Sequence, residues 1–187
     1  MDTYIDIRLL PDPEFPPTLL MNALFGKLHR GLVNFGEGSI GVSFPDVREK
    51  SHSLGHHLRL HSTAATLERF IRGDWLKGMS DHLTVGRPSA VPAQVQYRTV
   101  RRVQAKSNPE RERRRLIARK GVSENQARAA IPDEKAKLLD LPYVVLNSQS
   151  TGQQFRLFIE HMPKEAEARA GSFSAYGLST TATVPWF

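Results

Sequence analysis

The sequence predicts an α+β protein in which alternating strands and helices form an N-terminal domain and a basic domain follows. Three observations support this prediction. Short segments alternate apolar and polar residues, as half-buried strands do, while longer segments repeat apolar residues at helical spacing. A turn-rich passage, residues 86–92, separates the two halves. Most of the excess positive charge lies beyond that passage. We therefore expect domains at 1–94 and 95–187.

The first half contains six predicted elements. They are a strand at 5–9, a helix at 17–30 that ends at Gly31, strands at 40–44 and 54–62, a helix that begins after Thr63, and a strand at 82–85. The order β-α-β-β-α-β is the ferredoxin-like arrangement. Many RNA-binding modules share it, but it does not by itself indicate a function.

The second half is predicted to combine helices with a β-hairpin. Its elements are an extended stretch at 95–104, an arginine-rich helix at 108–120, a short helix with a capping box from Ser123 to Gln126, strands at 143–150 and 153–161, and a last strand at 178–184. The turn of the hairpin is expected at Ser150, Thr151 and Gly152.

Composition excludes several classes of protein. The chain has 187 residues, no Cys and 40% hydrophobic residues, so it can form a core but has no disulfide, catalytic thiol or Cys-ligated metal. Its apolar runs are short, and its first residues do not resemble a signal peptide. We expect a soluble cytoplasmic protein that does not act at a membrane.

Positive charge is concentrated in one segment. The net charge is +7, yet residues 98–120 alone contain ten basic and two acidic residues. Four arginines share one side of the predicted helix: Arg111, Arg114, Arg115 and Arg119. Lys120 follows them, and only Leu116 and Ile117 could pack on the opposite side. Because so small an apolar face holds a helix weakly, this pattern favours a nucleic-acid ligand over a solvated surface helix.

Charge alone does not distinguish DNA from RNA. A helix enters the major groove of B-DNA readily, whereas an RNA stem must open its groove near a loop or an end. Arg102 and Gln104 lie two residues apart in the extended stretch and should project to the same side. Arginine can bind guanine and glutamine can bind adenine with paired hydrogen bonds, so these two residues are candidates for base reading or for phosphate contact.

The histidines do not form a convincing metal site. His57, Arg59 and His61 alternate with Leu58 and Leu60 and are expected on the outward face of a strand. No Cys or acidic cluster completes a zinc or magnesium site near them. We therefore expect no metal and no cofactor.

Cleavage without a metal is a reaction to which RNA is suited. Its 2′-hydroxyl can attack the adjacent phosphate once a base has removed the proton, and histidine is a suitable base. His29 is the candidate, because it lies in the last predicted turn of the first helix at the rim of the core. A structural histidine that interacts with the helix dipole would fit the same position.

Several motifs, in this order, resemble the type I-F CRISPR repeat-processing endoribonucleases of the Pseudomonas type. They are Leu28-His29-Arg30-Gly31, Arg102-Val103-Gln104, the helix at 108–120, Ser148, Phe155 and the glycine-rich segment 171–177. The resemblance covers essentially the whole chain. It implies a ferredoxin-like domain joined to a basic domain that binds the hairpin of a CRISPR repeat. It also implies metal-independent cleavage at the 3′ foot of the stem, a 2′,3′-cyclic phosphate product, and retention of that product within a surveillance complex.

The resemblance also implies roles for individual residues. His29 would be the general base, Ser148 would hold the 2′-hydroxyl, and Tyr176 would help to position His29. The RNA-binding residues would be Arg102, Gln104, Arg111, Arg114, Arg115, Arg119, Lys120 and Phe155, with Phe155 stacked on the last base pair. From its pattern alone, Phe155 is in register with Leu157 and Ile159 and would be a core residue.

Two other functions remain open at this point. The same basic helix and scaffold would suit an RNA-hairpin-binding module without catalysis, in which His29 is structural. A regulator that places the helix in B-DNA is the third possibility.

Overall fold

The computed structural model contains two antiparallel β-sheets and four α-helices among the residues it describes, which are 1–104, 109–132, 139–148 and 152–187. The predicted α+β class is confirmed. The chain forms two compact units, one of residues 1–103 and 141–187 and the other of residues 104–140. The domain division near residue 94 stays a prediction. None of the helices in the described ranges is long and apolar enough to cross a membrane.

The first sheet and its helices come from the first half of the chain. Their bounds are β1 (Thr3–Leu9), α1 (Pro17–Phe35), β2 (Gly41–Ser43), β3 (His57–Ser62), α2 (Ala64–Ile71), β4 (Leu83–Val85) and β5 (Ser89–Ala90). The strands are antiparallel in the order β2-β3-β1-β4, and β5 pairs with the beginning of β1. All six elements predicted for this half are therefore present, with changes in their bounds.

The second sheet belongs to the same compact unit. It contains β6 (Gln96–Val103), β7 (Tyr143–Asn147), β8 (Gln154–Glu165) and β9 (Val184–Trp186), all antiparallel in the order β7-β8-β6-β9. The predicted hairpin strands β7 and β8 are confirmed. Ser150 and Thr151 of its turn lie outside the described residues.

The other compact unit contains two helices, α3 (Pro109–Lys120) and α4 (Glu124–Ala130). The capping box predicted for α4 is confirmed: Ser123 accepts from the Gln126 backbone N–H, and the Gln126 side chain accepts from the Ser123 N–H. Arg113 Nε donates to the carbonyl of Ile131 at 2.7 Å, which joins α3 to the end of α4. The predicted cap of α3, Asn108, lies outside the described residues.

The predicted end of the first helix was wrong. Helix α1 continues through Gly31 and ends at Gly36, which adopts a left-handed conformation with φ of 74°. Gly31 instead allows close packing, because a Cβ there would lie 3.0 Å from Cβ of Trp75 and 3.2 Å from Cζ of Phe70. A glycine inside a helix was thus mistaken for a glycine that ends one.

The predicted bounds of the last strand were also wrong. Residues 178–183 lie in a loop, and β9 begins at Val184. Their backbone groups bond locally or across to other segments: Ser179 N–H donates to the carbonyl of Val100, and Ala182 N–H donates to Ser179 Oγ. These bonds replace the ladder that a strand would form.

Strand β3 is buried on both faces, contrary to the prediction that one face is exposed. His57, Arg59 and His61 are 2%, 7% and 0% exposed. The C-terminal segment contributes to this cover: the ring of Phe187 lies on the Arg59 guanidinium, and Arg59 Nη1 donates to the Phe187 carbonyl at 3.1 Å. A Cβ on Gly41 would lie 2.6 Å from Val184 Cγ1, so this glycine makes room for the segment that covers the sheet.

Most polar groups on this covered face have partners, although the buried Nδ1 of His61 has no hydrogen-bond partner among the described residues. The Arg59 guanidinium donates to both carboxylate oxygens of Asp6, at 2.6 and 3.1 Å, and lies 4.5 and 4.0 Å from the ring centroids of Tyr4 and Phe187. His57 Nε2 lies 2.8 Å from Asp6 Oδ1. His61 Nε2 lies 2.8 Å from Ser43 Oγ. The buried charge of Arg59 is therefore paired with a carboxylate, which offsets the cost of its burial.

Stability should fall as the pH is lowered, because of His61. Burial, reinforced by the positive charge of Arg59, lowers its pKa from 6.5 to about 3. Between these values the unfolded chain binds a proton at His61 that the folded chain does not, so the free energy of unfolding rises with pH in this window. A single such group contributes up to about 1.4 kcal/mol per pH unit.

Urea unfolding at several pH values between 7 and 4 measures this slope. His61→Gln removes the titrating group, so its slope should be shallower even if the protein is less stable at every pH. His56→Gln, at an exposed position, is the control for the loss of a histidine. An undiminished slope in His61→Gln would show that His61 is not the group responsible.

Candidate active site

A cavity of about 930 Å³ lies in the larger compact unit, between α1, the base of the β7–β8 hairpin and the glycine-rich segment. Four residues singled out from the sequence line it: His29, Ser148, Phe155 and Tyr176. They come from distant parts of the chain, so only the fold could show that they share one space.

A backbone carbonyl orients His29 in this cavity. The half-buried side chain projects from α1, and its Nδ1 lies 2.8 Å from the carbonyl oxygen of Ala175. Because a carbonyl oxygen can only accept, Nδ1 carries the hydrogen of this bond. The neutral imidazole then has its lone pair on Nε2, where it can accept a proton.

Aromatic stacking further restricts the imidazole. The rings of His29 and Tyr176 are nearly parallel, with an interplanar angle of 13° and centroids 4.0 Å apart. Tyr176 is in turn nearly parallel to the buried Phe25, at 6.3 Å and 4°. Since Phe25 and His29 lie one helical turn apart on α1, Tyr176 bridges from the core to the cavity.

The loop that carries Tyr176 is docked tightly on β2. Gly177 has φ of 69°, and a Cβ added there would overlap Cγ2 of Val42. The Val42 N–H donates to the Gly177 carbonyl at 2.9 Å, and the Gly177 N–H donates to the Ser174 carbonyl at 2.8 Å. This packing fixes the position of the Ala175 carbonyl that orients His29.

Ser148 is held at the base of the hairpin. Its N–H donates to the carbonyl of Gln153 at 2.9 Å, and its carbonyl accepts from the N–H of Gly152 at 2.8 Å. Strand β7, which leads to it, is joined to α1 by a bond from the Val145 N–H to Asn22 Oδ1 at 2.9 Å. Ser148, which lines the cavity, is therefore held by backbone hydrogen bonds within the hairpin and by the attachment of β7 to α1.

The charge of the cavity suits an anionic ligand. Among the described residues that line it, Lys27 and Arg30 are positively charged and none is acidic. Lys27 Nζ donates to the carbonyl of Lys77 at 2.6 Å, whereas Arg30 is exposed. Within the described ranges, no three His, Asp or Glu side chains are grouped so as to bind a metal ion.

Arg102 reaches towards the same site from β6. Its guanidinium carbon lies 5.6 Å from the ring centroid of Tyr176 and 5.9 Å from that of Phe155. The Arg102 side chain is exposed, and Phe155 is half-buried, with part of its ring against the core. The core interpretation of Phe155 therefore holds in part, whereas its stacking on a base pair stays a prediction.

The remaining predicted RNA-binding residues belong to the smaller compact unit. Five of them are exposed: Gln104, Arg114, Arg115, Arg119 and Lys120. Leu116 and Ile117 of α3 are only half-buried, in agreement with the small apolar face expected from the sequence. The side chain of Arg111 lies outside what the structure describes.

Sequence reasoning missed several contributors to the site. None of Asn22, Phe25 and Lys27 was singled out from the sequence as a site residue. The role of the Ala175 carbonyl could not be predicted from the sequence, because every residue has a backbone carbonyl. The glycines at 171 and 177 marked the segment but not its contact with β2.

Comparison with known proteins gives the family. Residues 4–187 match the model of the family described as CRISPR-associated protein (Cas_Csy4). The chain belongs to this family. Two relatives, each named CRISPR-associated endonuclease Cas6/Csy4, align over all 187 residues of both chains: one from Pseudomonas aeruginosa (strain UCBPP-PA14) is 57% identical, and one from Escherichia coli (strain UTI89 / UPEC) is 45% identical. The family resemblance inferred from the motifs is confirmed.

Gly177→Ala should destabilise this Cas_Csy4 family member more than a glycine replacement that meets no neighbour. A Cβ at Gly36, which also has positive φ, would find no atom within 4 Å. Gly36→Ala should therefore cost about 1 kcal/mol from backbone strain alone. Gly177→Ala adds the overlap with Val42 and should cost about 3 kcal/mol or more. Urea unfolding of both variants gives the comparison, and equal losses would contradict the tight docking on β2.

Proposed function

We propose that this chain is an endoribonuclease that processes precursor CRISPR RNA. It binds the stem-loop of the repeat, cleaves at the 3′ foot of the stem without a metal or cofactor, and leaves a 2′,3′-cyclic phosphate. Full-length similarity to relatives named CRISPR-associated endonucleases supports this assignment. The observation that carries it is the oriented His29, whose Nδ1 bonds the Ala175 carbonyl in a cavity shared with Ser148.

The proposed chemistry uses the RNA's own nucleophile. His29 Nε2 accepts the proton of the 2′-hydroxyl, and the 2′-oxygen attacks the adjacent phosphorus. The bond from phosphorus to the 5′-oxygen breaks, and the 5′-oxygen takes up one proton, which balances the proton that the 2′-hydroxyl gave to His29. Atoms balance without water as a reactant, because the new bond from the 2′-oxygen closes the cyclic phosphate.

Ser148 and Tyr176 have supporting roles in this proposal. Ser148 holds the 2′-hydroxyl in line for attack, since alignment of the reacting atoms contributes strongly to such a rate. Tyr176 keeps the imidazole plane fixed through the stack at 4.0 Å. Lys27 and Arg30 give the cavity a positive charge that suits the scissile phosphate.

RNA binding is assigned to a second group of residues. Helix α3 would lie in the major groove of the stem and contact it through Arg111, Arg114, Arg115, Arg119 and Lys120. Arg102 and Gln104 would read bases at the foot of the stem, and Phe155 would stack on its last base pair. The exposure of Arg102, Gln104 and the described α3 residues of this group supports this assignment.

The finer details of the fold form part of the same proposal. We assign a ferredoxin-like domain to residues 1–94, supported by the element order β-α-β-β-α-β and the antiparallel sheet order β2-β3-β1-β4. Residues 95–187 would form the basic RNA-hairpin-binding domain. After cleavage, the protein would stay on the product with the other subunits of a type I-F surveillance complex, in the cytoplasm.

The substrate tests the chemistry directly. A hairpin RNA with a single 2′-deoxy nucleotide just upstream of the scissile phosphate should bind normally, because its phosphates are unchanged, but should resist cleavage. The unmodified hairpin should be cleaved in EDTA to a product that ends in a cyclic phosphate. Cleavage of the deoxy hairpin at the normal rate would rule out this mechanism.

Two protein variants test the same mechanism through the residues assigned to it. His29→Ala should slow cleavage by a factor of about 10² to 10⁴, as the loss of a general base usually does, with little change in affinity. Ser148→Ala should slow cleavage by a smaller factor. Normal cleavage by both would place the active site elsewhere, while binding without cleavage by the unaltered protein would identify a hairpin-binding module.

Salt dependence tests the role of α3. Each phosphate contact that is lost should reduce the slope of log affinity against log salt by roughly one unit. Arg115→Ala with Arg119→Ala should therefore weaken hairpin binding and flatten this slope by up to about two units. The matched control is Arg69→Ala with Arg72→Ala, in the last turn of α2 and just after it, which also removes two exposed positive charges. An equal change of the salt slope in both double variants would argue against α3 as the docking element. Tighter binding of duplex DNA than of the RNA hairpin would instead favour a DNA-binding regulator.

A further inference from the structure

We infer that Asn22 is a positioning residue that sets the separation between His29 and Ser148. This inference rests on the proposed function, because it concerns the two residues assigned to the chemistry. A hydrogen bond from the Val145 N–H to the Asn22 side chain joins α1, which carries His29, to β7, which leads directly to Ser148.

Strand β7 is an edge strand, so alternate backbone groups face away from its sheet. It pairs on one side with β8, and the register places Val144 opposite Leu157 and Val145 opposite Arg156. The Tyr143 N–H and the Val145 N–H both bond outside the sheet, to the His52 carbonyl and to Asn22 Oδ1. Asn22 thus satisfies a donor that the ladder leaves unused.

The two elements run side by side from this bond towards the proposed catalytic residues. Gly26, one turn after Asn22, lies so close to β7 that a Cβ there would touch Leu146 Cδ2 at 3.7 Å. His29 is two turns after Asn22, about 10 Å along the helix axis. Ser148 is three residues after Val145, also about 10 Å along the strand. Asn22 therefore joins α1 to β7 at a point that lies about equally far, along each element, from His29 and from Ser148.

The other described anchors of these residues join each of them to its own neighbours. His29 is oriented by the Ala175 carbonyl and Tyr176, and Ser148 is held by Gln153 and Gly152. Each set fixes one residue relative to its own surroundings. Among the described residues, the bond from Val145 to Asn22 is a polar contact that ties β7, which leads to Ser148, to the helix of His29.

Loss of this bond should lower the rate of cleavage without lowering RNA affinity. Asn22→Leu keeps a side chain of similar shape but has no acceptor for the Val145 N–H. We expect the single-turnover rate at saturating protein to fall by about 10- to 100-fold, because small misplacements of reacting groups have effects of this size. The affinity for the hairpin should change by less than about threefold, since Asn22 carries no charge.

Two further variants distinguish positioning from a general loss of structure. Asn22→Asp keeps an oxygen acceptor at the same place, so its single-turnover rate at saturation should return to near that of the unaltered protein, even if its negative charge weakens binding. Thr18→Leu introduces the same leucine at an exposed position of α1 and should cleave normally. Thermal unfolding of all three should be measured alongside.

The outcomes separate this inference from the proposed function. If the unaltered protein does not cleave the hairpin, the proposed function fails. If it cleaves and Asn22→Leu cleaves equally fast, the inference about Asn22 fails alone. The inference is also overturned if Asn22→Leu loses affinity and thermal stability in step with its rate, or if Asn22→Asp does not recover the rate.

Discussion

The docking of the C-terminal segment on strand β2 is the contact on which most of the structure depends. Gly41 has no side chain, so Val184 and Phe173 come close to the backbone of β2. Gly177 packs in the same way against Val42. The same C-terminal segment places Phe187 over Arg59 of β3 and brings the Ala175 carbonyl and Tyr176 to His29. Core packing and site geometry therefore have a common cause.

The chain separates two physical tasks. Orientation of an imidazole requires a stiff environment, which the larger compact unit supplies through a backbone carbonyl, a ring stack and a packed loop. Attraction of a polyanion, the task that the proposed function gives to α3, requires only charge, and α3 carries that charge on a helix with a small apolar face. A change in the ionic environment should act on the second task far more than on the first, because short buried contacts are screened weakly.

Local signals predicted the elements well but not what covers them. Alternation and caps located β1, α2 with its Thr63 cap, and α4 with its capping box. Gly31 was misinterpreted because a glycine that ends a helix and one that allows close packing look alike in a sequence. The polar residues of β3 were expected in solvent because the segment that covers them is more than a hundred residues away. The motifs singled out His29, Ser148 and Tyr176 as candidates, whereas the role proposed for Asn22 rests on a hydrogen bond that only the fold shows.

The bond between His29 and residue 175 has a consequence for sequence variation. The acceptor is a main-chain oxygen, which no substitution at an exposed position 175 removes as long as the loop keeps its path. The constraint on residue type therefore falls on positions 41, 42 and 177, whose packing keeps the loop in place. Relatives could diverge freely at the residue that orients the imidazole while being constrained at positions that never touch it.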